Sequence, residues 1–324
     1  FSNDAKGALL LEPTRLQLLP YSEDFNNWSK SGWTLTSGLL APNGNLDAFS
    51  ALRTTGTTFA QTLTLSANTT YTFTSYIKNV NATNIQLRVQ NQAGNTSGTE
   101  SNCIVFSVTD QTSTSNFTRI THTFNTGDAG SYGLFLGYYS AGEYIVWGAQ
   151  LEQGSYATSY IPTQGSAVTR VADVCNQTVP SGIIGQTEGT MYCEIDVKSG
   201  YDVNNLILTL SDGTANNFMY INRSNGKLEV YIKTNGVVQL SYLSASILSV
   251  GRHKLSLAYK LNDFVFYLDG VLMYSDTSGT VPSCNKINVG SYYNELLPFN
   301  NRIKDVKLYN TALTDAELQA LTSN

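Results

Sequence analysis

Residues 71–78 read YTFTSYIK, with Tyr71, Phe73 and Ile77 on one side of an extended chain and Thr72, Thr74 and Lys78 on the other. Successive side chains of a strand point to opposite faces, so this alternation predicts a strand with one buried face. NIQLRVQ (84–90) repeats the pattern with Ile85, Leu87 and Val89 against Gln86, Arg88 and Gln90, and RITHTF (119–124) repeats it with Ile120, His122 and Phe124. YGLFLGYY (132–139) and EYIVWGAQLE (143–152) alternate less strictly, as strands covered on both faces do. Clusters of Asn, Gly, Ser and Asp separate these runs, and no helical period intervenes. The expected architecture is a β-sandwich of the jelly-roll type.

From Gly148 to Arg170 the rhythm is lost, while Tyr156, Tyr160 and Ile161 remain and the chain runs through Pro162 to Gly165. Proline and glycine end a ladder, and such aromatics are too apolar for a free linker. This stretch is expected to fold back over the first sandwich as a clasp, a boundary rather than a site. The strand pattern then starts afresh with TMYCEIDV (190–197), NLILTLS (205–211), NFMYIN (217–222), KLEVYIK (227–233) and VVQLSYL (237–243). HKLSLAY (253–259), FVFYLDGVLMY (264–274) and NRIKDVKLY (301–309) complete it. SDGTANN (211–217), NRSNGK (222–227) and LDGVL (268–272) carry the Asp-Gly and Asn-Gly dipeptides of tight hairpins. One helix is predicted, at the C-terminal end. Thr314 to Glu317 has the form of a capping box, Leu313 and Leu318 that of a hydrophobic staple, and Leu321 shares their face. The predicted organisation is therefore a jelly roll over 1–170, a linker over 171–185 and a second sandwich over 186–324.

Composition agrees with an all-β reading. The 324 residues suit two domains, and 13% charged against 41% hydrophobic residues, with 20 Tyr and 13 Phe, favours strands over helices. A net charge of -5 with no basic run argues against nucleic acid. No apolar run reaches the ~20 residues of a membrane span, so no membrane insertion is expected. The sequence begins at Phe1 and is expected to be part of a longer polypeptide. Cys103, Cys175, Cys193 and Cys284 form no CxxC pair; isolated thiols are expected, with a Cys175–Cys193 bridge as the alternative.

GALLLEPTRLQLLPYSEDFNNW (7–28) and WGAQLEQGSYATSYIPTQGSAVTR (147–170) resemble a module common in bacteriophage tail-fibre and other virion adhesion proteins. That resemblance implies a carbohydrate-binding-type jelly roll of galactose-binding-like topology. Related modules close their last strand with paired aspartates at a structural calcium. Here Val146-Trp147-Gly148-Ala149 stands in that place, so no calcium is expected there. RHKLSLAYKLNDFVFYLDGVL (252–272) and FNNRIKDVKLYNTALTDAELQAL (299–321) resemble the laminin-G/concanavalin-A-like sandwiches. The family's Trp-His-His-Val is Arg252-His253-Lys254-Leu255 here.

Catalytic patterns are thin. Concanavalin-like glycosidases of the laminarinase type carry Glu-x-Asp-x-x-Glu on one strand, which sets an acid and a nucleophile on one face. Glu194 and Asp196 begin that motif, but Ser199 stands at its third acid, so no enzyme is expected. His122 and His253 share strand parity with apolar neighbours and read as hydrogen-bonded, half-buried residues; lying in separate domains, they make no zinc site. Asp212 and Asp263 sit on turns, where an Asx-turn is the simpler reading than a calcium ligand. No metal or cofactor is expected. Glycan binding needs a ring for the C–H face of a sugar and amides for its hydroxyls. Candidates are Trp33, the Tyr138–Tyr139 pair, and Tyr292–Tyr293 beside Asn294.

Together with the thin catalytic patterns, the resemblance implies a non-catalytic adhesion module of a phage virion, acting outside the cell from a tail or capsid fibre. Its expected partners are a host surface glycan and other virion proteins, with trimerisation in the full-length protein. The alternatives are a structural or decoration domain of a fibre, and accessory domains of a polysaccharide depolymerase.

Overall fold

The computed structural model describes residues 9–91, 103–197, 205–296, 299 and 301–323, without the side chains of 57 and 103–106. The first eleven strands are Leu9–Leu10 (β1), Arg15–Gln17 (β2), Ser29–Leu39 (β3), Ala48–Leu65 (β4), Thr70–Asn79 (β5), Gln86–Asn91 (β6), Cys103–Ser107 (β7), Thr118–Asn125 (β8), Gly130–Gly137 (β9), Glu143–Gln153 (β10) and Val168–Arg170 (β11). The rest are Cys175–Thr178 (β12), Glu188–Val197 (β13), Asn205–Ser211 (β14), Phe218–Ser224 (β15), Lys227–Thr234 (β16), Val237–Ile247 (β17), Gly251–Lys260 (β18), Asp263–Leu268 (β19), Val271–Asp276 (β20), Lys286–Val289 (β21) and Arg302–Tyr309 (β22). One helix, Asp315–Thr322 (α1), follows.

They form two compact units, Thr14–Val171 and a second that joins the segment ending at Pro13 to the chain from Ala172 onward. In the first, β3, β4, β9, β6 and β7 are antiparallel neighbours, and β8, β5, β10, β2 and β11 form a second ladder. β10 lies between the two ladders: Glu143 to Val146 pair with β4 on one side, while Tyr144 to Gln153 pair with β5 on the other. Between Trp147 and Gln150 the β5 register shifts, where Gly148 takes a φ of 62° that suits glycine. The core is aromatic, with Phe25 edge-on to Trp28, Phe49 and Phe59 at 5.3, 5.5 and 5.8 Å. The clasp folds back as the lost alternation suggests. Ile161 N–H donates to Gln150 Oε1 at 2.7 Å, Tyr160 Oη bonds Ser22 Oγ at 2.7 Å, and the Tyr160 ring lies 4.6 Å from that of Trp147.

The second unit stacks two six-stranded sheets, β1-β22-β13-β18-β19-β20 and β12-β21-β14-β15-β16-β17. Met191, Cys193 and Ile195 of β13 face Leu208, Leu210, Met219 and Val230 in a single core. Asn225-Gly226 and Asp269-Gly270 hold φ of 49° and about 80° at hairpin tips, the geometry these dipeptides favour. Asp212-Gly213 does not make a two-residue hairpin. It opens a longer loop in which the Asp212 carboxylate accepts from Thr214 N–H at 2.8 Å and Asn217 Nδ2 at 2.9 Å. α1 carries the capping box, with Thr314 bonded to Glu317 in both directions, and Leu318 packs with Leu313 against Ala258 and Tyr267.

The domain limits differ from 1–170 and 186–324 at two points. β1 pairs with β22 (Leu9 opposite Ile303), and Leu11, 3% exposed, enters the second core, so the segment up to Pro13 belongs with the second sandwich. The supposed linker 171–185 contains β12, paired with β21 from Cys175–Val289 to Thr178–Lys286. Short strands whose partners stand far along the chain leave no local alternation to read. The jelly roll is thus inserted into the second sandwich. Where the chain leaves and re-enters, Glu12 N–H donates to Asp173 Oδ2 and Asp173 N–H to Glu12 O, each at 2.9 Å.

Candidate functional site

Across the β21-β14-β15-β16-β17 sheet, Asn288, Thr209, Tyr220, Tyr231 and Ser241 stand in one row of register partners. Their strand neighbours Leu208, Leu210, Met219, Ile221, Val230 and Ile232 belong to the core, so the row faces away from it. The Phe218, Tyr220 and Tyr231 rings lie nearly parallel, with centroids 5.5–5.9 Å apart. The chain after β21 brings Tyr292 edge-on to Phe218 and Tyr220 at 5.4 and 5.8 Å, and Tyr293 stacks on Phe218 at 5.6 Å. That loop is fixed by Thr209 Oγ1 donating to Ser291 O at 3.0 Å and by Tyr292 N–H donating to Leu296 O at 2.9 Å. Exposed Asn294 closes it, its Oδ1 accepting from Leu296 N–H at 3.3 Å.

Two amides border the rings. Asn222 donates through Nδ2 to Glu229 Oε2 at 2.7 Å, and among the described residues its buried Oδ1 has no partner and the buried Oδ1 of Asn288 has none either. Buried polar atoms are satisfied as a rule, so two bare acceptors beside an aromatic face suit a ligand that brings hydroxyl donors. Burial, then the neighbouring Tyr293, Tyr231 and Glu229, push the Tyr292 phenol up to about 12, and burial followed by Glu229 raises that of Tyr220. Both phenols therefore remain neutral hydrogen-bonding groups at ordinary pH. Tyr292, Tyr293 and Asn294 were legible as candidates. Phe218, Tyr220, Tyr231, Asn222 and Asn288 were missed, although the alternation of NFMYIN and KLEVYIK already sets the first two rings and Tyr231 opposite the core residues.

In the jelly roll, Tyr138 and Tyr139 meet at 4.3 Å, and Tyr139 is half exposed. Arg88 lies over Tyr138 at 4.2 Å and Arg53 over Tyr139 at 5.2 Å, neither arginine foreseen as part of a site. Trp33 is not a platform. It is 8% exposed, packed against Phe59 and Tyr144, because β3 turns its ring inward over Gly137.

Glu194 and Asp196 do share a face of β13, flanking the buried Ile195. Lys304 Nζ approaches Glu194 at 3.8 Å and Arg302 approaches Asp196 at 3.9 Å, so each carboxylate faces a cation. Ser199 lies outside the described residues. His253 is buried, its Nδ1 2.7 Å from Asp269 Oδ2 and its Nε2 2.9 Å from Ser249 O, which ties a hairpin together. His122 stacks on Phe124 at 6.3 Å, and burial lowers its pKa. Among the described residues, no three His, Cys, Asp or Glu side chains come together as a metal site. Cys175, Cys193 and Cys284 are free thiols, so the Cys175–Cys193 bridge does not form. No helix among the described residues is long and apolar enough to cross a membrane.

The class this architecture defines is a nearly all-β protein of two β-sandwiches, one inserted into the chain of the other, lectin-like one, with one short C-terminal helix. Residues 176–319, the second sandwich, match the laminin-G family of the concanavalin A-like lectin/glucanases superfamily. No curated protein matches the sequence. Among solved structures, a sialidase CBM40 from Ruminococcus gnavus bound to α2,3-sialyllactose is 16% identical, covering 43% of this chain and 84% of that one with a TM-score of 0.38. A leech intramolecular trans-sialidase is 20% identical over 43% of this chain, at a TM-score of 0.36, and the match spans only 23% of the enzyme. A SAP-like pentraxin of Limulus polyphemus is 13% identical over 44% of this chain and 72% of its own, at a TM-score of 0.36.

Proposed function

We propose that this chain is a non-catalytic adhesion module of a bacteriophage virion that holds a host surface glycan on the Tyr292–Tyr293 face of its second sandwich. The observation that carries the reading is the convergence of five aromatic rings with two buried, unpartnered amide oxygens on a sheet face turned from the core. Sugar C–H faces pack on such rings, and hydroxyls supply the donors that Asn222 and Asn288 lack. The family match of residues 176–319 supports carbohydrate recognition, and the segments around Trp28 and Trp147 support a place in a tail or capsid fibre, with other virion proteins and further copies of the chain as neighbours. A shallow site of this kind binds near millimolar, roughly 4 kcal/mol, so adhesion would depend on many copies, as a trimeric fibre provides.

The test is a glycan array probed with the full chain clustered on beads. Binding should be lost in Tyr292→Ala and weakened in Tyr293→Phe, and Glu194→Gln should leave it unchanged. Release of reducing ends from a host polysaccharide, abolished by Glu194→Gln, would overturn the reading.

A further inference from the structure

The first sandwich carries an aromatic–cationic ridge that uses none of the laminin-G face. Arg53 of β4 lies over Tyr139 at 5.2 Å, and Tyr139 meets Tyr138 at 4.3 Å. Arg88 of β6 lies over Tyr138 at 4.2 Å and over Phe135 of β9 at 5.5 Å. The turn that presents both tyrosines is fastened at three points. Tyr138 N–H donates to Gln86 O at 3.1 Å, Asn84 Nδ2 to Tyr139 O at 3.2 Å, and Gln86 N–H to Ser140 Oγ at 2.9 Å.

The arginines are uncompensated. Neither forms an ion pair with any described carboxylate, and this in a chain of net charge -5. Among the described residues the Arg53 side chain donates only to the carbonyls of Gly56 and Thr55. The Arg88 side chain makes no hydrogen bond among the described residues, and its Nε–H is shut away from solvent without an acceptor. A guanidinium offers five donors in a planar fork that fits an oxyanion, and a ring beneath it fixes the plane of that fork.

We infer that this ridge is a second saccharide site, selective for anionic sugars. A pyranose packs on exposed Tyr139, and its carboxylate or sulfate is taken by Arg88 and Arg53. The inference rests on the reading of the chain as a glycan binder, but on different residues and a different ligand charge.

The experiment titrates the full chain with sodium polygalacturonate, dextran sulfate and neutral dextran. At least one anionic polymer should bind, neutral dextran should not compete, and affinity should fall steeply with salt. Polygalacturonate alone would assign a carboxylate ligand, and dextran sulfate alone a sulfate ester. Arg88→Gln and Arg53→Gln should each weaken binding about tenfold or more, and Tyr292→Ala should leave it unchanged. Arg53, whose side chain touches only two backbone carbonyls and the Tyr139 ring among the described residues, provides the test even if Arg88→Gln fails to fold. Binding of neither anionic polymer, wild-type affinity in Arg53→Gln, or equal competition by dextran would overturn the inference. Neutral glycans bound on the array with no anionic polymer bound would sink this site alone; an array with no signal at all would sink the glycan-binding function itself.

Discussion

Leu11→Ala tests the inserted arrangement of the two sandwiches. Leu11 lies ahead of the whole jelly roll in sequence, yet it is 3% exposed and belongs to the core of the second unit. Its Cδ1 fills the space above Gly290, only 2.0 Å from where a Cβ at that glycine would stand, and Ile303 borders the same space. Truncating a buried leucine costs about 2–5 kcal/mol, depending on how far the site can collapse. β1 is a two-residue edge strand, so partial collapse is easy and the cost should be about 2–3 kcal/mol. With a urea slope of about 2 kcal/mol per molar, the midpoint of the second unit should fall by about 1–1.5 M. Each unit has its own reporter. All three tryptophans, Trp28, Trp33 and Trp147, lie within Thr14–Val171, and buried Cys193 and Cys284 lie in the other unit. Leu11→Ala should leave the tryptophan fluorescence transition in place and bring labelling of Cys193 and Cys284, located by peptide mass spectrometry, to lower urea. A shift of the tryptophan transition with unmoved thiols would refute the inserted topology.

Gly137→Ala should destabilise the jelly roll by about 1–3 kcal/mol and shift tryptophan emission, because the new Cβ would stand 2.3 Å from the Trp33 ring and 2.8 Å from Tyr144 Oη; an unchanged melt would place Trp33 elsewhere. Burial lowers the His122 pKa below its ordinary 6.5, so its neutral form is favoured on folding. Stability is then fully present above pH 6.5 and declines as pH falls toward the folded-state pKa, where the unfolded chain takes up a proton first. Tryptophan-detected melts of His122→Gln should be flatter with pH below 6.5 than those of the unaltered protein, and equal slopes would remove His122 from that dependence.

Strands such as Thr70–Asn79 and Lys227–Thr234 were legible because their alternation is complete within a few residues. The helix was legible because its cap is local: Thr314 and Glu317 satisfy each other whatever the chain does elsewhere. β1 was not, since Leu9–Leu11 is an unbroken apolar run whose partner belongs to the last strand. Trp33 was misread because three strands meet around it, and only the turn of β3 over Gly137 decides which side its ring takes. The Tyr292–Tyr293 pair could be nominated from sequence, but its companions Phe218, Tyr220 and Tyr231 are gathered by strand order, which alternation does not encode.

The pairing of β1 with β22 also orders events during synthesis. Leu9 leaves the ribosome roughly 290 residues before its partner Ile303, a wait of roughly 15–60 s at ~5–20 residues per second. The jelly roll, complete once Arg170 emerges, can fold in that interval, and its β2–β11 ladder then holds Arg15 opposite Arg170. From that moment β1 travels with the chain that follows Ala172, as though about 160 residues had been cut out of the sequence. Until β1 docks, β22 is the outermost strand of its sheet, with backbone donors and acceptors open to a neighbouring chain. A lesion that delays folding of the jelly roll should therefore surface as aggregation through the edge of the other sandwich.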